Sequence, residues 1–531
     1  MPSIRSYEID WIVGFSIQEG HWRQIPIQID EMHYQSWDFI KNFSDCRLEN
    51  RPIEPALVYA DPETYSGPDE DPTFDTDDEL VFMARHLGSR WTNIDPPENV
   101  LPDIVEVVEI FDNYGDWPPN IIGYIYLLIS KLDSGSPILS PDAGYKLVDY
   151  QFNLTSRIYK EDYKFNCDMP ANQDGTTNHD CLDPIMNPED SWFKSGHYER
   201  HFKENWISDR VQILTGNSNG QNFWDIDEIQ LLPYYCNRNM YTFTHGPTAF
   251  IANKVGPVRA IRSILGSNSG VLTQRNTFMY EQTEHQETIF KVHPLPGFLS
   301  YINFKTGIPL TYYNCHNKEG FDVNGQMEPN ELNSNEDFCP WQMVNGHTGT
   351  FLRSIQLQES VSTDFYLLPN SDPGQFLKSW YIDNANPIST GSPWDISKFP
   401  FHNAPIYALP NFDDTLDTIF AMCSYFSNEQ NEAWGTMGYR LKPEFQWKFD
   451  NQGNYLSGLG VPNNDPLGRY NSDDGVPCTL DGFPQEVLDP VYPITLKAKH
   501  YFLSPEMDVK RAEELYEESV KPLYPTDFLA K

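Results

Sequence analysis

Lys254-Val255-Gly256-Pro257-Val258-Arg259-Ala260-Ile261-Arg262-Ser263-Ile264, followed by the polar Gly266-Ser267-Asn268-Ser269-Gly270, decides the fold class of this chain. It lies in the extended stretch Ala249–Ile264 and is followed by a second, Leu272–Val292. Gly-Pro and Ser-Asn-Ser-Gly are turn chemistries. Val-, Ile-, Thr- and Phe-rich runs bounded by such turns read as strands. Side chains alternate across a strand, so Val258, Ala260, Arg262 and Ile264 share one face, with Arg259 and Ile261 on the other. On the next strand, Phe278, Tyr280 and Gln282 face one way and Met279 and Glu281 the other.

The same pattern extends outward. Ile104–Phe111 and Ile121–Ser130 are predicted strands joined by the turn-rich 112–120, and Tyr145–Leu154 alternates well. The clearest helix is C-terminal, with Ser504 as cap, Pro505 in the first turn and Pro522 as stop. Val509, Ala512, Tyr516 and Val520 give it a docking stripe. A shorter helix is expected over Tyr198–Ile207. The polar stretches Pro170–Pro188 and Asn451–Pro484 read as long irregular regions. The expected architecture is all-β dominated, a β-sandwich or supersandwich with long loops and a C-terminal helix. Its expected parts are an N-terminal β domain with an acidic loop (1–160), a large β-sandwich (161–503), and the C-terminal helix and tail (504–531).

Composition bounds the function. Seventy-six acidic residues against 37 basic ones leave a net charge of −39, which repels phosphate backbones and argues against nucleic-acid partners. Aromatics at 14% exclude a disordered acidic chain. The longest apolar run, Ile121–Ile129, is about half the roughly 20 residues a bilayer helix needs, so membrane insertion is not expected. Glu8 and Asp10 stand where a secretory signal would be apolar. Eight cysteines show no metal-cage spacing and lie in polar segments. They favour disulfides, with Cys167–Cys181 and Cys315–Cys339 as local candidates, and hence a secreted, extracellular protein. The sequons at Asn42 and Asn153 are compatible with a glycoprotein. Oligomeric state is not readable.

Four constellations could carry chemistry. The stretch from Pro52 to Ala84 has no Lys or Arg, and Asp75, Asp77, Asp78 and Glu79 could supply the hard oxygen ligands of calcium; a solvated acidic loop is the alternative. His197 and His201, four apart on the expected helix, could hold a transition metal with a distant third ligand such as His245 or His293, or could simply be hydrogen-bonded. Arg262 on an apolar row needs a carboxylate or a bound anion, because an unpaired buried charge is very costly. It could neutralise an acidic group of a substrate, with Tyr280, His293 and Glu281 as proton-transfer groups, or form a buried pair that fixes strand register. Finally, 13 Trp, 30 Tyr and 32 Phe, many beside turns, suit stacking on sugars, protein interfaces or stapling of loops. No serine-elbow, phosphate-loop or dinucleotide motif is present.

The segments Asp77-Asp78-Glu79-Leu80-Val81-Phe82-Met83-Ala84 and Gly256-Pro257-Val258-Arg259-Ala260-Ile261-Arg262-Ser263 resemble those of an uncharacterised group of secreted β-rich proteins. More distantly, the second segment is similar to strands of the large supersandwich domains of sugar mutarotases and some polysaccharide lyases. That resemblance implies a sheet-lined groove carrying His, Tyr, Arg or Glu. Two expectations follow. One is a secreted carbohydrate-binding or carbohydrate-active protein stabilised by calcium and disulfides. The other is a non-catalytic acidic extracellular structural or adhesive protein that binds calcium and protein partners.

Overall fold

The computed structural model describes residues 4–35, 55–112, 120–131, 146–153, 188–232, 248–304, 308–322, 340–362, 417–457 and 494–525, with short gaps in several of these. They are mostly strand, with one α-helix among them.

Strands β1 (Ile12–Gln18), β2 (His21–Ile25), β3 (Ile27–Asp30), β4 (Met32–Gln35), β5 (Ala56–Tyr59), β6 (Glu79–Phe82), β7 (Val100–Asp112) and β8 (Asn120–Ser130) form the N-terminal part. Glu19 and Gly20, both at positive φ, close the β1–β2 hairpin in the manner of a type I′ turn. The order β2-β1-β8-β7 makes one sheet, whose far edge pairs with the two-residue strand Tyr524–Pro525. β3 pairs with β6, and β4 with β5. Phe74, Val108, Ile125 and Leu127 lie in the core of this part.

The larger part begins with β9 (Val148–Gln151), β10 (Pro188–Ser195), β11 (Tyr198–Glu204), β12 (Ile207–Ile213), β13 (Gln221–Asn222) and β14 (Trp224–Leu232). β15 (Thr248–Val255), β16 (Ala260–Gly266), β17 (Thr273–Met279) and β18 (Thr283–Phe290) follow as an antiparallel meander. Next come β19 (Gly297–Phe304), β20 (Leu310–Asn314), β21 (Phe321–Asp322), β22 (Trp341–Gly346), β23 (Gly349–Gln356) and β24 (Val361–Ser362). β25 (Asp417–Thr418), β26 (Ala421–Asn428), β27 (Ala433–Leu441), β28 (Trp447–Phe449), β29 (Tyr455–Ser457) and β30 (Ile494–Leu503) precede helix α1 (Val509–Val520).

Two large sheets result. The first runs β24-β27-β26-β19-β14-β12-β11-β10-β9 with β13 beside β12; the second runs β15-β16-β17-β18-β30-β23-β22-β20-β21. The pair β19–β26 is parallel. Their apolar faces meet in one core: Phe193, Tyr198, Phe202 and Val211 from the first sheet against Ala260, Met279, Phe351 and Phe502 from the second. Tyr198 stacks on Phe502 with ring centroids 3.8 Å apart. The all-β sandwich expected from the turn-punctuated pattern is therefore what forms.

Several details differ from expectation. β9 pairs with β10, so residues 148–151 belong to the sandwich and not to the N-terminal part. In place of a helix, Tyr198–Glu204 forms the whole of β11 and Ile207 begins β12, because Tyr198, Arg200 and Phe202 alternate into the core, a period of two rather than 3.6. α1 starts later than Ser504: the Asp508 carboxylate caps it by accepting a hydrogen bond from the Arg511 N–H at 2.8 Å. The helix buries Ala512, Leu515 and Ser519, while Val520 is exposed. It packs on the outer face of the second sheet against Trp341, Met343, Leu352 and Tyr501, so it is not a separate unit. Expectations at Cys167, Cys181, Cys339, Asn42, His245 and His293 fall outside the described residues.

Candidate functional site

Arg262 points from β16 into the sandwich, as alternation requires. Its guanidinium donates to both carboxylate oxygens of Glu189 on β10, at 2.5 and 2.6 Å, and to the Tyr150 hydroxyl at 2.9 Å. The rings of Phe202 and Phe250 lie 4.2 and 4.9 Å from its central carbon. The side chains of Arg262 and Glu189 are 2% and 0% exposed. The charge is thus neutralised across the two sheets, by a bidentate pair that leaves the guanidinium no open side for an external anion. A second pair of opposite polarity lies nearby: Arg200 of β11 meets Glu284 of β18. Gln286 Nε2 donates to Glu284 Oε1 at 2.6 Å, and His500 Nδ1 lies 3.4 Å from the same oxygen. Burial raises the Glu284 carboxyl, but Arg200 and His500 together outweigh this and bring it down to about 2.

Arg259 leaves the opposite face of the second sheet, toward the N-terminal part. It binds Asp30 of β3 through Nε at 3.0 Å and Nη2 at 2.8 Å, Glu79 of β6 at 2.5 Å, and the Tyr280 hydroxyl at 2.9 Å. Tyr59 donates to the same Glu79 oxygen at 2.6 Å, and Lys254 Nζ lies 3.5 Å from Asp30. Gln28 Oε1 accepts from the Val258 and Arg259 backbone N–H groups. Gly256 is needed here, because an added Cβ would stand 2.3 Å from the Gln28 side chain. Burial pushes the Tyr280 hydroxyl up, although Arg259 opposes the shift. The neighbouring His285, 5.0 Å from the Tyr280 ring, is driven down to about 3 by burial, reinforced by Lys499 and Arg259, and is neutral. Tyr280 is therefore a hydrogen-bonded member of the contact between the two parts.

Glu281 sits at the β17–β18 turn and pairs with Arg85. His197, in the β10–β11 turn, lies 3.9 Å from Glu281 and accepts a hydrogen bond from Gln282 Nε2 at 3.1 Å. Burial lowers His197, with Arg85 adding to the effect and Glu281 opposing it. His201 is on β11 instead, and four residues of extended chain span roughly 13 Å, so the shared helical face expected for His197 and His201 does not exist. Each histidine has its own partners. Among the described residues no three His, Cys, Asp or Glu side chains converge as a metal site.

The acidic segment is folded on itself. The Asp78 carboxylate accepts from the Met32 and Asp75 backbone N–H groups at 3.2 and 3.0 Å, and Asp75 accepts from Asp77 N–H at 3.0 Å. Burial, with Asp75 and Asp69 adding, raises Asp78 to about 6. Glu79 serves Arg259 and Tyr59.

His201 reveals a different site, on the solvent side of the first sheet. Its Nδ1 meets Asp209 Oδ1 at 2.5 Å and its Nε2 meets Asp190 Oδ1 at 2.9 Å. Trp192, directly across from His201 in register, has its ring centroid 4.5 Å from the imidazole, and its indole N–H donates to Asp190 at 3.2 Å. The Arg210 guanidinium lies 5.2 Å from the Trp192 ring. Asp190 is 61% exposed at its side chain.

No family model matches the chain, and neither a curated protein nor a solved structure is similar enough to register. The sequence had pointed to Arg262, Tyr280, Glu281, His197 and His201. It missed Glu189, Glu284, Asp30, Asp190 and Asp209. The alternation Glu189, Ser191, Phe193, Ser195 against Asp190, Trp192, Lys194 carried the signal for two of these, hidden by the proline at the strand start.

Proposed function

We propose that this chain is a non-catalytic, acidic extracellular β-sandwich protein that works by binding, and that Arg262 is part of its frame. The carrying observation is the sealed Arg262–Glu189 pair: the arginine expected to meet a substrate acid is consumed by the protein's own carboxylate, with Tyr150 and two phenyl rings around it. Tyr280, bonded to Arg259, and Glu281, paired with Arg85, are likewise occupied in joining elements. The net charge of −39 favours neutral or cationic partners. Secretion is supported by the eight cysteines set in polar segments, whose pairing it would allow, and by the exposed sequon residue Asn153.

The test is to incubate the protein with neutral and acidic polysaccharides and assay reducing-end release and unsaturated products. No release is expected. Release that disappears in the Arg262→Met, Glu189→Leu double variant, with the fold intact, would overturn the reading.

A further inference from the structure

We infer that the outer face of the first sheet around Trp192 is a binding site for a neutral carbohydrate, engaged through vicinal hydroxyls. The inference gives the binding reading above its ligand class. The inner residues of β10 (Glu189, Ser191, Phe193) fill the core, so Asp190, Trp192 and Lys194 stand outward. Two ring contacts of Trp192 are made by neighbouring strands on one side of β10: His201 on β11 at 4.5 Å and Arg210 on β12 at 5.2 Å. On the other side of β10, β9 is the last strand of the described sheet and carries the exposed Gln151 in register with Trp192.

A pyranose has an apolar face that stacks on indole and a rim of hydroxyls that need fixed acceptors. The acceptors here are held in place. His201 binds one oxygen of Asp190 and one of Asp209, and the Trp192 indole N–H binds the same Asp190 oxygen. Among the described residues no donor meets the second oxygen of either aspartate, which leaves both as acceptors for adjacent hydroxyls. The carboxylates repel uronate or sulfate groups, which selects a neutral sugar.

The experiment is affinity electrophoresis of the full chain, made in a bacterial host so that Asn153 is unmodified, through gels containing soluble β-glucan, galactomannan, xylan or polygalacturonate. At least one neutral polymer is expected to retard the protein, and polygalacturonate to leave it unretarded. Trp192→Ala should weaken retardation at least tenfold and Asp190→Asn severalfold, while Trp192→Phe keeps part of it and Lys194→Ala all of it. Melting curves of each variant establish folding. Retardation by no neutral polymer, retardation only by polygalacturonate, or equal retardation of folded Trp192→Ala would overturn the inference. Catalytic release of sugar would sink the non-catalytic reading but leave this site standing; loss of binding would do the reverse.

Discussion

Replacing Glu189 by Gln keeps the side-chain volume and removes one charge from the sandwich interior. In the native chain the pair is 0% and 2% exposed, held by hydrogen bonds of 2.5 and 2.6 Å. At an effective dielectric near 20, opposite charges about 4 Å apart attract by about 4 kcal/mol. Measured losses on breaking one side of a buried pair run about 3–5 kcal/mol. Glu189→Gln is therefore expected to lose about 4 kcal/mol, a large share of a typical folding free energy of about 5–15 kcal/mol. Urea unfolding followed by tryptophan fluorescence and circular dichroism gives the midpoint and slope. The Arg262→Met, Glu189→Leu variant removes both desolvation costs and should return to within about 1 kcal/mol of the native chain or exceed it. The reasoning fails if Glu189→Gln costs less than about 1 kcal/mol, or if the apolar double variant is as unstable as the single one. Either result would mean that Arg262 does not depend on Glu189 and is available to something else.

Acid should destabilise the protein through two buried groups. His285, whose ordinary value near 6.5 falls to about 3 in the fold, stabilises the native state above pH 6.5, and this is lost as pH falls toward 3. Glu284, lowered from 4.5 to about 2, contributes stability above pH 4.5 that is lost as pH falls toward 2. Asp78 acts in the opposite sense: raised to about 6, it favours the fold in acid and loses that contribution as pH rises through 6. Melting temperatures from pH 7 to 3 should fall steadily, and His285→Gln should flatten the slope between pH 6.5 and 4; an unchanged slope contradicts the assignment. Glu19, at φ 52° in the β1–β2 turn, carries local strain. Glu19→Asn should raise stability by about 0.5–1 kcal/mol, read as a higher urea midpoint. Removing the α1 cap with Asp508→Ala should cost about 1 kcal/mol, and no change would mean that the cap bond does not form.

The alternation around Arg262 was readable because a strand's two faces are a property of local covalent geometry. Val258 and Ala260 joined the interior with Arg262, and Arg259 and Ile261 took the other face, as the order of residues requires. The helix near the C-terminus and the β7–β8 hairpin were equally local signals. The partners were not readable. Glu189 lies 73 residues from Arg262, and Asp30 lies 229 from Arg259. Nothing in a linear pattern states which distant acid a buried cation will find. Tyr198–Ile207 shows the reverse failure: charged residues alternating with Tyr and Phe fit a helix about as well as a strand until the facing sheet decides which side chains are buried.

The amino-acid sequence by itself determined that strands form, where most of them turn, and that a cation on an apolar row must be neutralised. Only the tertiary structure decided by what, because strand pairing and sheet-on-sheet packing bring together residues whose separation along the chain leaves no local trace. That packing turned a candidate substrate-binding arginine into a tie between sheets, and set two aspartates, a histidine and a tryptophan together on the face turned to solvent.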